Sequence, residues 1–302
     1  HLMEIKNLTI GFIGAGFMGY GMAHNLLKKN YKLSVIAHIN RKPIDKLISE
    51  GAHESKNLQE IAKNKCIIMC VSNTQVAKEI IKEILPHLTY DTLVIDITTH
   101  NELGSIEINN MLKKINICYV ESPVMGGPVQ SEQGILGAIV GCAKNDFKIS
   151  KEILSSFCQN IFHFGEIGTA SKAKLISNFL SLGTATFVIE TLKAANHHNI
   201  DINKLYEVSK LGSGNSEALH RIADKAIIGD YKGYIFTVDN GIDGVNYGLN
   251  FSEVDMTLNG GLGAVTVKNT NLLPLCSEKI TAVLKDCLTE ALWVVTFAPE
   301  NI

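Results

Sequence analysis

The sequence predicts an α/β protein: a doubly wound parallel sheet over residues 3–164, then an all-helical domain over residues 165–302. Three observations carry this. Short apolar runs alternate with helical stretches through the first half. A glycine-rich turn joins the first apolar run to the first helix. After Ser171 the glycine punctuation thins and the pattern becomes helical.

Composition sets the limits. The chain has 302 residues, 46% hydrophobic and 19% charged, enough to bury a sizeable core. The net charge of -2 argues against nucleic acid as an obvious partner. Seven cysteines are scattered without a CxxC pair, which reads as reduced cytosolic thiols. His1-Leu2 ahead of Met3 reads as a remnant and is set aside. The apolar segment from Leu8 to Phe17 runs into glycines without a small-residue cleavage site, so a strand is expected there rather than a leader.

Leu8 to Ile13 is a buried parallel strand by its apolar run. Gly14-Ala-Gly16-Phe17-Met18-Gly19 follows, then a helical stretch from Tyr20 to Lys29. In this pattern the first glycine permits a tight turn and the second lets backbone approach a pyrophosphate. The third allows close helix packing, and the helix N-terminus faces the phosphates. This strand–turn–helix context is the mark of a Rossmann dinucleotide site. The second strand, from Lys32 to His38, ends without an acid before Asp45; it runs instead into Asn40-Arg41-Lys42. A guanidinium and an ammonium suit a ribose 2'-phosphate, so NADP is favoured and NAD is the alternative. Further strands are expected at Lys65–Val71, Thr92–Ile97, Asn116–Val120, Gly137–Gly141 and Ile161–Phe164. Ligands bind at the carboxyl ends of such strands. Those ends hold Val71-Ser72-Asn73, Thr98-Thr99 and the loop from Pro123 to Pro128.

Gly165 and Gly168 lead into a run with no charged residue between Lys174 and Glu190. It is short and rich in Ser, Thr, Asn and Gly for a membrane span, and reads as a long helix buried on nearly all sides. Lys174 and Asn178 are four apart and share one face of it. Asp201 caps a helix from Asn203 to Leu211, and Ser216 begins another reaching about Ile228. Gly229 to Tyr234 reads as a loop, Asp239 to Gly263 is polar and glycine-dotted, and Leu272 to Ala291 has an amphipathic helical pattern.

Three motifs in order now resemble the beta-hydroxyacid dehydrogenase family, which includes 3-hydroxyisobutyrate dehydrogenase and the glyoxylate and succinic semialdehyde reductases, with a 6-phosphogluconate dehydrogenase-like dinucleotide domain. They are Gly11 to Gly19, Glu121-Ser-Pro-Val-Met-Gly-Gly127, and Gly165 to Asn178. The resemblance covers roughly residues 8 to 245. It implies an NAD(P)-dependent oxidoreductase that interconverts a small aldehyde or keto acid with its hydroxy acid. Lys174, rather than Lys172, would be the proton donor, with Asn178 orienting it. Gly14, Gly16, Phe17, Met18, Gly19, Asn40, Arg41, Lys42, Val71, Ser72, Asn73 and Thr99 would hold the cofactor. Met125, Gly126, Gly127 and Ser177 would meet a carboxylate-bearing substrate, Gly126 and Gly127 through backbone amides. The chain departs from the family in three places. Met125 stands where a serine is usual, Ser177 replaces the first of two asparagines, and a Lys-Asp pair is absent near Asp243-Gly244.

No metal-ligand spacing appears: His197 and His198 are adjacent, and His24, His53 and His87 lack a neighbouring cluster. His100 follows Thr99, where a structural role is the better reading. An imine reductase of the same fold is a competing reading that the retained Lys174 argues against. A catalytically impaired dinucleotide-binding protein is another, which Met125 and Asp243 favour. By resemblance the long helix packs against another subunit, giving a homodimer or homotetramer; no membrane or nucleic-acid partner is expected, and the compartment is cytoplasmic.

Overall fold

The computed structural model describes residues 8–38, 40–228, 232–238, 249–255, 264–273, 280–284 and 292–296. The chain forms two compact units, His1–Phe179 and Leu180–Ile302.

The first unit holds nine strands in one sheet. They are β1 (Thr9–Ile13), β2 (Lys32–Val35), β3 (His53–Glu54), β4 (Cys66–Met69), β5 (Leu93–Asp96), β6 (Cys118–Glu121), β7 (Val124–Met125), β8 (Leu136–Gly141) and β9 (Cys158–Gly165). The order is β3-β2-β1-β4-β5-β6-β8-β7, with β9 on β8. The first six strands in that order pair in parallel; β8 runs antiparallel to β6 and β7. This is the doubly wound dinucleotide-binding topology, with its switch between β1 and β4. The helices are α1 (Gly19–Lys28), α2 (Lys42–Ser49), α3 (Leu58–Ile61), α4 (Thr74–Ile84), α5 (Glu102–Lys113), α6 (Pro128–Gln133) and α7 (Lys144–Leu154).

The central strands are apolar on both faces because helices cover both. Along β4, Cys66 and Ile68 join one buried cluster with Phe12 and Leu26. Ile67 and Met69, pointing the other way, join a second with Ile81 and Leu112. Both sides of a parallel sheet are expected to be buried in this way. The strands expected from the sequence are present; β3 and β7, two residues each, are additions too short to carry a pattern.

The long helix α8 runs Thr169–His197. Its burial differs from expectation: Ile176, Phe179, Leu180, Leu182 and Phe187 are all more than two-thirds exposed. Among the described residues it is long and apolar enough to cross a bilayer, by length and composition only, so the sequence argument against a span was too strong. Thr184, Thr186 and Thr191 each donate a hydrogen bond to the carbonyl four residues back, which masks their polarity.

In the second unit, Val188 and Leu192 of α8 pack with Tyr206, Leu219 and Ala223. These come from α9 (Ile202–Ser209) and α10 (Glu217–Ile228). Asp201 accepts from the amides of Asn203 and Lys204, the N-cap expected of it. From Thr169 to Ile228 the regular elements are the helices α8, α9 and α10. Beyond it the described segments are strands, which corrects the expectation of helix throughout. β10 (Lys232–Val238), β11 (Leu249–Asp255) and β12 (Ala264–Leu273) form an antiparallel ladder; β13 (Ile280–Leu284) and β14 (Leu292–Thr296) form a hairpin pair. Ala-Val-Thr-Val, Ile-Thr-Ala-Val and Trp-Val-Val-Thr are rich in β-branched and aromatic residues, which favour strands over the helix read from Leu272 to Ala291. The loop expected at Gly229 to Tyr234 likewise gives way to β10 from Lys232. Asp239, Asp243 and Gly244 lie outside the described residues.

Candidate active site

The glycine loop after β1 uses its three glycines for three purposes. Gly14 has φ +93°, and a Cβ there would lie 2.1 Å from the Cys70 carbonyl oxygen at the end of β4. Gly19 opens α1, where a Cβ would meet the Gly14 carbonyl oxygen at 2.1 Å. Around Gly16 a Cβ would meet nothing within 4 Å, so the loop presents open space at that point. Phe17 is exposed, and Met18 caps α1 without a side-chain hydrogen bond. The first amides of α1 therefore lack a side-chain cap, the arrangement that receives a phosphate. These features fit a dinucleotide.

A buried network joins the next two strand ends. Asp96, at the end of β5, accepts from His100 Nε2 at 2.8 Å, from the Tyr119 hydroxyl at 3.2 Å and from the Thr98 amide at 3.0 Å. The other ring nitrogen of His100 lies 2.9 Å from Thr74 Oγ1 in the first turn of α4. The Val71 amide donates to Thr98 Oγ1 at 3.1 Å. His100 is thus an internal strut, as expected, and its links join the ends of β4 and β5. Ser72, Asn73 and Thr99 are exposed around this network; the Asn73 side chain itself caps α4 by accepting from the Val76 amide.

Arg41 and Lys42 lie on the surface near the end of β2, but Arg41 is engaged. Its guanidinium donates to both carboxylate oxygens of Glu54 at 2.8 and 3.1 Å and to Asp45 at 2.8 and 3.2 Å. Asn40 accepts from the Lys42 amide at 3.1 Å.

The first turn of α8 is fixed by Glu121, at the end of β6. The Glu121 carboxylate is fully buried and accepts from the amides of Gly168 and Ala170 at 2.6 and 2.9 Å and from the Ser171 hydroxyl at 2.6 Å. Ser171 meets Ser105 of α5 at 2.7 Å. Three charge-assisted donors and the positive end of α8 compensate the buried charge. Glu121 escaped the sequence reading because its partners lie about fifty residues away.

One turn beyond Ser171, Lys174 is half-buried. Its Nζ donates to the Val124 carbonyl at 2.7 Å and to Met125 Sδ at 3.4 Å. Burial pushes its pKa below the ordinary lysine value. Ser177 Oγ donates to the same sulfur at 3.8 Å. Lys172 instead forms an exposed pair with Glu102. Asn178 is half-buried, one turn after Lys174. Met125 thus occupies the space between Lys174 and Ser177, filling the loop rather than offering a donor. Gly126 has φ +117°, and a Cβ would press on Leu136 at 2.8 Å. The Gly127 amide, expected to face a substrate carboxylate, donates to Gln130 Oε1 at 2.9 Å. The two loops are tied together, because Ser131 Oγ of α6 donates to the Met18 carbonyl at 2.7 Å.

Residues 9–165, just over half of the chain, match the model of the NAD binding domain of 6-phosphogluconate dehydrogenase. The chain is 30% identical over 210 residues to a probable mitochondrial 3-hydroxyisobutyrate dehydrogenase of Dictyostelium discoideum, covering 68% of this chain and 65% of that protein. Among solved structures, 3-hydroxyisobutyrate dehydrogenase from Salmonella typhimurium superposes with TM-score 0.67 at 23% identity, covering 74% of this chain and 80% of that one. An imine reductase from Myxococcus stipitatus in complex with NADP+ superposes with TM-score 0.63 at 19% identity, covering 77% of this chain and 80% of that one. At such identities the two structures speak for the fold alone.

Proposed function

This chain belongs to the beta-hydroxyacid dehydrogenase family, and from that premise we propose that it is an NADP-preferring reductase of a small aldehyde or keto acid. The observation that carries the reading is Lys174: half-buried, lowered in pKa, and held on the substrate loop through Val124.

When bound, the dinucleotide supplies or accepts the hydride. Gly14, Gly16 and Gly19 would admit its pyrophosphate to the N-terminus of α1, with Phe17 and Met18 alongside. Val71, Ser72, Asn73 and Thr99 would hold its nicotinamide half, and Asn40, Arg41 and Lys42 would meet the ribose phosphate. Lys174, as the ammonium, donates a proton from Nζ to the substrate oxygen and becomes the neutral amine. In the reverse direction the amine takes the hydroxyl proton. Val124 holds one Nζ hydrogen and so aims the group. The contact to Met125 Sδ is a weak one that a substrate oxygen displaces. Asn178 orients the substrate beside the lysine. With the Gly127 amide engaged by Gln130, a substrate carboxylate is met by Gly126, Ser177 and the Lys174 charge. Met125 makes the rest of the pocket apolar.

The imine reductase alternative has the similar fold in its favour, and Lys174 against it. We also propose a homodimer or homotetramer that covers the exposed face of α8; a helix that begins on the substrate loop suits a subunit contact better than a bilayer. The scattered thiols support a cytoplasmic setting.

The test is NADPH oxidation with a panel of short aldehydes and keto acids, in wild type and Lys174→Ala. Turnover of one panel member that is lost in the variant, with NADPH still bound, supports the reading. Undiminished turnover in the variant removes Lys174 from the chemistry.

A further inference from the structure

At the end of β2 the backbone of Val35 pairs with Glu54 of β3. Ile36, Ala37, Glu54, Ser55 and Lys56 line a cleft there of about 350 Å³. Its position is where a dinucleotide fold receives the adenosine ribose, and where an acid favours a free 2'-hydroxyl and an arginine favours a 2'-phosphate. Along β2 itself the sequence offers no acid. The structure brings one in from the neighbouring strand: Glu54 lines the cleft and grips Arg41 with both oxygens, while Asp45 takes the guanidinium's other edge. Arg41, bonded to a residue of the cleft wall, thus has four N–H···O contacts already made to carboxylates. Ser55, in the same wall, has a buried hydroxyl with no partner among the described residues, a group that a native fold seldom leaves unused.

We propose that the Glu54–Asp45 carboxylate pair, by clamping Arg41, moderates this chain's preference for NADP over NAD. The inference rests on reading the chain as a dinucleotide-dependent oxidoreductase. Two physical effects act together. The carboxylates repel a 2'-phosphate directly, and they occupy the guanidinium edges that would grip it bidentately. Against them stand Arg41, Lys42 and Lys56, so the site retains a cationic excess and a modest preference for the phosphate. A free 2'-hydroxyl, which can donate to Glu54, loses little and keeps NADH a usable ligand.

The test is titration of the protein with NADPH and NADH, following nucleotide fluorescence, for wild type, Glu54→Gln, Glu54→Asp and Asp45→Asn. Glu54→Gln should raise the NADPH-over-NADH affinity ratio about tenfold by removing one nearby charge. Glu54→Asp keeps the charge and should hold the ratio within about twofold of wild type. Asp45→Asn, at an exposed position remote from the core, should shift the ratio in the same direction as Glu54→Gln, and tests the clamp even if Glu54→Gln does not fold. An unchanged ratio, or a shift towards NADH, in folded Glu54→Gln or Asp45→Asn would overturn the inference while leaving the cofactor reading intact. No binding of either nucleotide to the wild type would overturn both.

Discussion

Lys174 brings a charge to a half-buried position, and burial lowers its pKa from the usual lysine value of 10.5. The folded pKa is therefore below the unfolded one. The unfolded chain holds the proton more tightly, so burying the ammonium costs stability at any pH below the folded pKa. That cost lessens as pH rises towards the unfolded value. Lys174→Met should consequently melt at or above the wild-type temperature at pH 7 while losing turnover, a pairing that calorimetry and an activity assay check together. The rate of reduction should fall as pH rises through the Lys174 pKa, with its midpoint below 10.5; the reverse reaction should gain over the same range. A pH–rate profile in both directions reads this sign. The spacing to Asn178 is what singles out Lys174 over Lys172 in the sequence, and Lys172 pairs with Glu102 on the surface. The engaged amide of Gly127 was not legible, because Gln130 reaches back to it through a local turn that several sequences could close.

At the scale of elements, two struts hold the loops of the candidate site. Glu121 secures the first turn of α8, one turn ahead of Lys174. Glu121→Ala strands buried donors and should cost about 3 kcal/mol in chemical denaturation. Glycine at 141 is required by the same contact, since a Cβ there would lie 2.3 Å from Glu121 Oε1; Gly141→Ala should destabilise by about 1–3 kcal/mol. The second strut is Asp96–His100–Thr74. His100→Ala leaves the buried Asp96 short of a partner and loosens the start of α4. It should weaken NADPH binding severalfold, readable by titration, and lower stability by about 3 kcal/mol. Neither strut forms a sequence motif. His100 with Thr74, and Glu121 with Ser171, are brought together by the fold, so single-sequence periodicity carries no trace of those contacts. The strands themselves were legible because burial on both faces leaves continuous apolar runs. The strands beyond Ile228 were not, because residues such as Leu, Lys, Glu and Ala between them mimic a helical pattern while pairing decides the outcome.

For the molecule as a whole, α8 poses the main question. Its exposed Phe179, Leu180, Leu182 and Phe187 form more apolar surface than isolated residues account for. A subunit contact predicts that Leu182→Glu with Phe187→Glu lowers the mass seen in sedimentation to that of a monomer, without loss of secondary structure by circular dichroism. Unchanged mass would exclude this face from assembly. The glycine loop, the Glu121–Gly127 stretch and the Gly165–Asn178 stretch, in that order along the chain, were sufficient to identify the family. The exposure of α8 was not, since an apolar run reads the same whether its neighbours come from its own chain or another.

The most direct measurement is a paired one on wild type and Lys174→Ala: NADPH affinity by fluorescence titration, then NADPH oxidation with short aldehydes and keto acids in the same samples. The account predicts equal NADPH affinity in both proteins, with turnover falling by at least about a thousandfold in the variant. Equal turnover in the two proteins would contradict it.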